Sequence, residues 1–182
     1  VSTGMARVIA ARVLGTGVAR PARTVHSRTL LAEAMPGRDP EAMIQRIGIE
    51  TRAWIGEGES AATLGVRAAR EALHAADIAP EAVRRIIFVS STGGDRLIPA
   101  TANDIADALE LSDTCDAFDV NNACVGFLTA FDLAARSVAT WLGPVLIVVG
   151  EVFSRYLRPS APRPYLVMSD AGAAAVVGTA ER

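Results

Sequence analysis

The segment from Asp116 to Leu142 constrains this chain most, because it joins two different periodicities at one cysteine. The run Phe118-Asp119-Val120-Asn121-Asn122-Ala123-Cys124-Val125-Gly126-Phe127 begins as a strand and becomes, from Cys124, a helical pattern extending to about Leu142. Val125, Phe127, Leu128, Phe131, Leu133, Ala134, Val138, Trp141 and Leu142 occupy nearly every side of that helix, and only Asp132 and Arg136 are clearly polar. A helix apolar all round is buried all round. One sheet covers one flank, so the pattern predicts a second layer on the other. The junction also predicts Cys124 at a helix N-terminus, where unpaired N–H groups and the positive end of the dipole favour thiolate over thiol. A free cysteine is equally at home as a small core residue, so the surrounding sequence has to decide between nucleophile and packing.

Elsewhere strand patterns alternate with helical ones. Arg7 to Leu14 reads as an opening strand, ended by a Gly15-Thr16-Gly17 turn and Pro21, with helical stretches near Thr29 to Met35 and Pro40 to Arg46. Thr51 to Ile55 reads as a short strand. Ser60 is a fitting N-cap for a helix from Ala61 to Ala76, with Leu64, Ala68, Ala72 and Ala76 on one stripe and Arg67, Arg70, Glu71 and His74 opposite. Arg85 to Ser90 reads as a strand, and Pro99 opens a helix through Leu109. Asp116 to Val120, Val145 to Val149, Tyr165 to Ser169 and Ala173 to Thr179 complete the expected strands. Such alternation predicts an α/β layered fold with a mixed, mostly parallel sheet and helices packed on both faces.

A chain of 182 residues suffices for one large domain or two small ones. Its net charge of -2 offers no basic surplus for nucleic acid or an anionic membrane, so neither is expected as a partner. All 18 basic residues are arginine, whose guanidinium suits phosphate and carboxylate. Cys115 and Cys124 match no metal or redox spacing, and their scarcity fits a reducing compartment. The apolar run Val145 to Val149 is far too short to span a bilayer. The expectation is a cytoplasmic protein with no metal site.

Four segments together resemble β-ketoacyl-acyl carrier protein synthase III and its thiolase-fold relatives. They are Gly48-Ile49-Glu50-Thr51-Arg52, the Cys124 run, Val148-Val149-Gly150-Glu151, and Ser169-Asp170-Ala171-Gly172-Ala173-Ala174. They come in family order, and the Cys124 run is the specific one. The resemblance covers the N-terminal half of that family and treats residues 1–182 as one thiolase-like domain, with the C-terminal half absent.

The resemblance implies that Cys124 takes an acyl group from an acyl thioester of coenzyme A or acyl carrier protein. A second thioester then decarboxylates and attacks the acyl-cysteine, as in fatty acid or polyketide biosynthesis. No cofactor beyond the thioester substrate is implied. The family's histidine and asparagine for the carbanion step, and its second oxyanion donor, lie in the missing half. This chain has only His26 and His74, and His74 falls on the charged face of its helix. A complementary C-terminal half or homologous subunit is therefore an implied partner, along with acyl carrier protein and a small acyl thioester.

Arg46 and Arg163 match positions that contact phosphate in the family, Arg163 through a one-residue gap. Ile98 matches a position in a loop that reaches across the family's dimer to line the partner's acyl pocket, and Phe153 matches a pocket-lining site through a gap. Ala42 stands where well-known bacterial members carry an adenine-stacking tryptophan, which leaves room for a carrier-bound donor. The loop Ser91 to Leu97 lacks the glutamate used as a base in the hydroxymethylglutaryl and head-to-head branches, and Asp95 is its candidate substitute. Asp170 and Gly172 imply a structural turn. Besides a condensing half-enzyme, a non-condensing acyltransferase, a non-catalytic stabilising subunit and a functionless fragment remain open on sequence alone.

Overall fold

The computed structural model describes residues 10–111, 115–140 and 142–179. Its strands are β1 (Ala11–Ala19), β2 (Arg23–His26), β3 (Thr51–Trp54), β4 (Arg85–Val89), β5 (Asp116–Val120), β6 (Val145–Glu151) and β7 (Ala171–Thr179). Its helices are α1 (Ser27–Ala34), α2 (Pro40–Ile47), α3 (Ala61–Ala76), α4 (Thr101–Ala108), α5 (Gly126–Ala139) and α6 (Pro162–Val167). The main sheet has the order β1-β7-β6-β4-β5, and β2 pairs with β3 in a small second sheet. β4 is parallel to β5 and to β6, whereas β7 is antiparallel to both β6 and β1. Four of the five strands thus point the same way and only β7 opposes them.

The pleat sorts side chains to two faces. Ile86 and Phe88 of β4 join Leu146 and Val148 of β6 beneath Leu64, Ala68 and Ala72 of α3 and Ile105 of α4. Ile87, Val89, Val145 and Ile147 take the other face, beneath Ala130, Ala134 and Val138 of α5. Leu64, Ile86, Ile87, Leu146 and Ile147 are fully buried. At about 25 cal/mol per Å² of apolar surface, each such side chain contributes roughly 1.5–3 kcal/mol.

β1 differs from its expected form. Gly15-Thr16-Gly17 is strand rather than turn, and its glycines let α3 press against the backbone. A Cβ on Gly17 would lie 2.2 Å from the Ala68 carbonyl oxygen, and one on Gly15 would lie 2.4 Å from the Ala76 nitrogen. The expected start of this strand, at residues 7–9, lies outside the described residues.

A third apolar cluster, Val25, Leu30, Leu31, Trp54, Tyr165 and Leu166, holds α1, α6, β2 and β3 together as a satellite layer. Arg52 is buried there and donates from Nη2 to Ser27 Oγ at 2.8 Å and to the Leu166 carbonyl at 2.7 Å. The expected strand from Tyr165 to Ser169 is a correction: Pro162 to Val167 is helix α6. Proline at its first position preorganises the turn. Tyr165 and Leu166 then bury against Trp54, a long-range contact that overrides their strand preference. β2 carries no strong periodic signal and exists through its pairing with β3.

Candidate active site

β5 and β4 end in register, with Val120 opposite Val89, and β6 runs two residues past Val149, the partner of Val89. The three segments that follow therefore leave the sheet at one edge, the carboxyl ends of its parallel strands. This is where open α/β sheets collect ligand-binding loops. After β5 comes the Cys124 turn, after β4 the loop with Ile98, and after β6 the turn with Phe153.

Cys124 is exposed and its thiol is free. It occupies a single 3₁₀ turn, Ala123–Val125, and α5 starts two residues later than expected, at Gly126. Ala123 holds φ at 44°, a left-handed conformation costing roughly 1–2 kcal/mol for a residue with a Cβ. The Asn121 Oδ1 accepts from the Ala123 N–H at 3.3 Å, and Asn122 Nδ2 donates to Thr129 Oγ1 at 2.9 Å. A Cβ on Gly126 would meet Val89 Cγ1 at 2.6 Å, so glycine lets the helix start hard against β4. The sheet-facing side of α5 is buried, while Val125, Phe127 and Leu128 are 52%, 39% and 65% exposed. The second layer predicted for this helix is thus not supplied by the described residues. The expected reach of the helix includes Trp141, which lies outside them.

Carboxylates from three of the landmark segments brace this end of the sheet. Asp119 on β5 accepts from the Thr101 and Ala102 amides at 2.9 and 2.8 Å, capping α4. Glu151 accepts from the Ser91 N–H at 2.8 Å and from Ser91 Oγ at 2.5 Å. Asp170, 1% exposed, accepts from the Ile55 and Ser154 amides and so ties β3 to the Phe153 turn. Asp170 and Gly172 are expected in one turn, but Gly172 lies in β7, because it pairs with both β1 and β6. The motifs give Asp119 and Glu151 no role by themselves, because each bonds to a distant segment.

Asp95 is not available as a free base. It accepts from the Ala61 and Ala62 amides at 3.0 and 2.8 Å, at the start of α3, and pairs with Arg155 at 2.7 Å. Burial pushes its pKa up, but the donors from Ala62, Arg155 and Ala61 outweigh that and leave it below the ordinary carboxylate value.

Ile98 is 82% exposed, next to Leu97 at 90%, and Phe153 is half-buried in its 3₁₀ turn. Arg46 and Arg163 are exposed on α2 and α6, and Ala42 is exposed on α2. α1 packs against both of these helices. The predicted residues therefore fall into two groups: Cys124, Ile98 and Phe153 at the strand ends, and the two arginines on the satellite layer. His26 and His74 are both exposed. Among the described residues no group of three or more His, Cys, Asp or Glu side chains is placed to hold a metal, and no helix is long and apolar enough to cross a membrane.

The layered fold and the strand–turn–helix around an exposed cysteine define a thiolase-like protein. The sequence model of 3-oxoacyl-[acyl-carrier-protein] synthase III matches residues 118–182. The chain is 41% identical to the β-ketoacyl-[acyl-carrier-protein] synthase III of Rhizorhabdus wittichii, over 93% of its own length and 52% of the relative's. It is 32% identical to an acetoacetyl-CoA synthase from a Streptomyces species, over 92% and 50% of the two lengths. The crystal structure of a priming β-ketosynthase from a polyketide biosynthetic pathway superposes with a TM-score of 0.85 at 28% identity, covering 94% of this chain and 51% of that one. The chain is similar to β-ketoacyl-acyl-carrier-protein synthases III, and it spans about half the length of the curated relatives it matches.

Proposed function

We propose that this chain is the cysteine-bearing, N-terminal half of an acyltransferase that performs Claisen condensation in fatty acid or polyketide biosynthesis. The observation that carries the reading is the exposed Cys124 on its strained turn at the strand ends, the same end of the sheet from which the Ile98 loop and the Phe153 turn leave. The Cys124 sulfur attacks the carbonyl of an acyl thioester, forming a new C–S bond. The tetrahedral oxyanion collapses with loss of the donor thiolate, which takes up the proton released by Cys124. The Cys124 N–H lies in the first turn of the helical segment, where N–H groups lack an intrahelical acceptor, and suits the oxyanion.

Phe153 lines the acyl pocket, Ile98 lines that of a second copy across a dimer, and Arg46 and Arg163 take the phosphates of coenzyme A or of a carrier-protein arm. The decarboxylative step requires an acid–base group from the complementary half, which also covers the exposed Val125, Phe127 and Leu128 face of α5. The acyl thioester is a substrate, and no resident cofactor enters this scheme. The names of the relatives support either carrier protein or coenzyme A as thiol carrier.

The test is intact-mass measurement on the longer protein, or on this chain assembled with the complementary half, after exposure to acyl thioesters. A single acyl adduct that vanishes in Cys124→Ser is the expected result. An unchanged adduct in that variant removes Cys124 as nucleophile. Release of carbon dioxide from a malonyl thioester separates condensation from simple acyl transfer.

A further inference from the structure

The loop between β4 and α4 exposes two large apolar side chains, yet almost all of it is fastened. Its start is held by Glu151, through Ser91. Gly94 folds against Thr101 so closely that a Cβ would stand 1.8 Å from Thr101 Oγ1, and that hydroxyl also accepts from the Asp95 N–H at 3.2 Å. The end is fixed by Asp119. Arg96 pairs with Asp104 of α4. The free tip is Leu97 to Pro99 alone.

One of these fastenings does more than hold the loop. The five residues Glu151 to Arg155 grip the loop at two points, Glu151 at Ser91 near its start and Arg155 at Asp95 in its middle. Between the two grips sit Phe153 and Ser154, and Ser154 donates to the buried Asp170 from N and from Oγ, at 2.9 and 2.5 Å. Asp95 also accepts from the Ala61 and Ala62 amides at the start of α3. What Arg155 adds is a rigid link between the Phe153 turn and the Ile98 loop. The ion pair is mostly shielded, with side-chain exposures of 33% and 17%, so solvent screens it less than a surface pair.

We propose that Arg155 is a positioning residue for acyl selectivity: through Asp95 it locks the Phe153 turn to the Leu97–Ile98 tip, so that both apolar elements are presented in one fixed geometry. The inference rests on the reading that Phe153 and Ile98 each line an acyl pocket, Ile98 that of a second copy across a dimer. It concerns which acyl group is accepted, not the reactivity of the thiol.

The test compares Arg155→Met, Arg155→Lys and Asp95→Asn, and the Arg155→Met/Asp95→Asn double variant, in the full-length protein. Competing short and longer straight-chain acyl thioesters give the ratio of their kcat/KM values, and hydrogen exchange follows the amides of residues 91–100 and 152–157. Arg155→Met should speed exchange in both segments and shift the ratio roughly five-fold, the size expected for a modest change in pocket fit. Arg155→Lys should restore much of it, and the double variant should add little to either single one. Alkylation of Cys124 by iodoacetamide should keep its wild-type rate in Arg155→Met. Unchanged exchange overturns the link, and faster exchange with a wild-type ratio overturns its role in selectivity. Loss of the Cys124 adduct in every protein, wild type included, would instead defeat the acyl-cysteine reading and leave the exchange result standing.

Discussion

Asp119 on β5 caps α4 from across a strand–helix gap, receiving the Thr101 N–H at 2.9 Å and the Ala102 N–H at 2.8 Å. The helix has no cap of its own, since Ala100 stands at the N-cap position. A carboxylate at a helix N-terminus also meets the positive end of the dipole. Asp119→Ala should therefore cost about 1–2 kcal/mol in denaturant unfolding. Asp119→Asn, which keeps an acceptor, should recover part of that, and an unchanged unfolding midpoint for the alanine variant would refute the cap.

Gly17 allows α3 to lie on the β1 backbone, with the Ala68 carbonyl oxygen 2.2 Å from where a Cβ would be. That oxygen and the next nearest atom, the Ala72 nitrogen at 2.6 Å, are both backbone, so neither yields without moving an element. Gly17→Ala should destabilise by about 1–3 kcal/mol or more, although alanine favours a strand over glycine in an exposed site. Gly58, which has a φ of 76° and open space around it, provides a contrast of a different kind: there an alanine pays only for backbone conformation. Thermal unfolding of the two variants distinguishes steric contact from φ strain.

Ala123 precedes the cysteine at a φ of 44°. Glycine adopts that conformation without the Cβ penalty, so Ala123→Gly should leave stability unchanged or raise it by up to about 1 kcal/mol. Ala123→Val should lower it, because branching at Cβ worsens the clash. A drop in unfolding midpoint for the glycine variant, equal to that of the valine variant, would contradict the strained turn.

Tyr165 donates its hydroxyl to Glu33 at 2.5 Å inside the satellite cluster. Burial, then the hydrogen bond and charge of Glu33, push its pKa up from 10.0 to about 12. The neutral phenol is the form favoured by folding. Its stabilisation is complete below the ordinary tyrosine pKa and is lost as pH rises through about 12. Phenolate absorbance on base titration should show one late tyrosine, absent in Tyr165→Phe. A Tyr165 titration at the ordinary value would disprove the contact.

Periodicity made much of this legible. The α3 helix with its Ser60 cap, the β4 and β6 strands, and the strand–turn–helix at Cys124 follow from local patterns, because each needs only neighbouring residues to bury one face or fill one cap. The family resemblance likewise follows from motifs that are contiguous in sequence, and it brought Ile98, Phe153, Arg46 and Arg163 into consideration.

Where the chain's own pattern was ambiguous, distant contacts decided. Gly15 and Gly17 carry a turn composition but lie in β1, because their missing side chains are what α3 requires. Tyr165, Leu166 and Val167 have strand propensities but lie in α6, where the first two fill the cluster around Trp54. Asp95 has the chemistry of a base, yet amides from α3 and the guanidinium of Arg155 occupy its oxygens. Which residues are apolar, which can turn and which can react is written in the residue types. Tertiary structure alone decided which of them meet, because the partners of Gly17, Tyr165, Asp95 and Asp119 lie far along the chain and no local pattern encodes them.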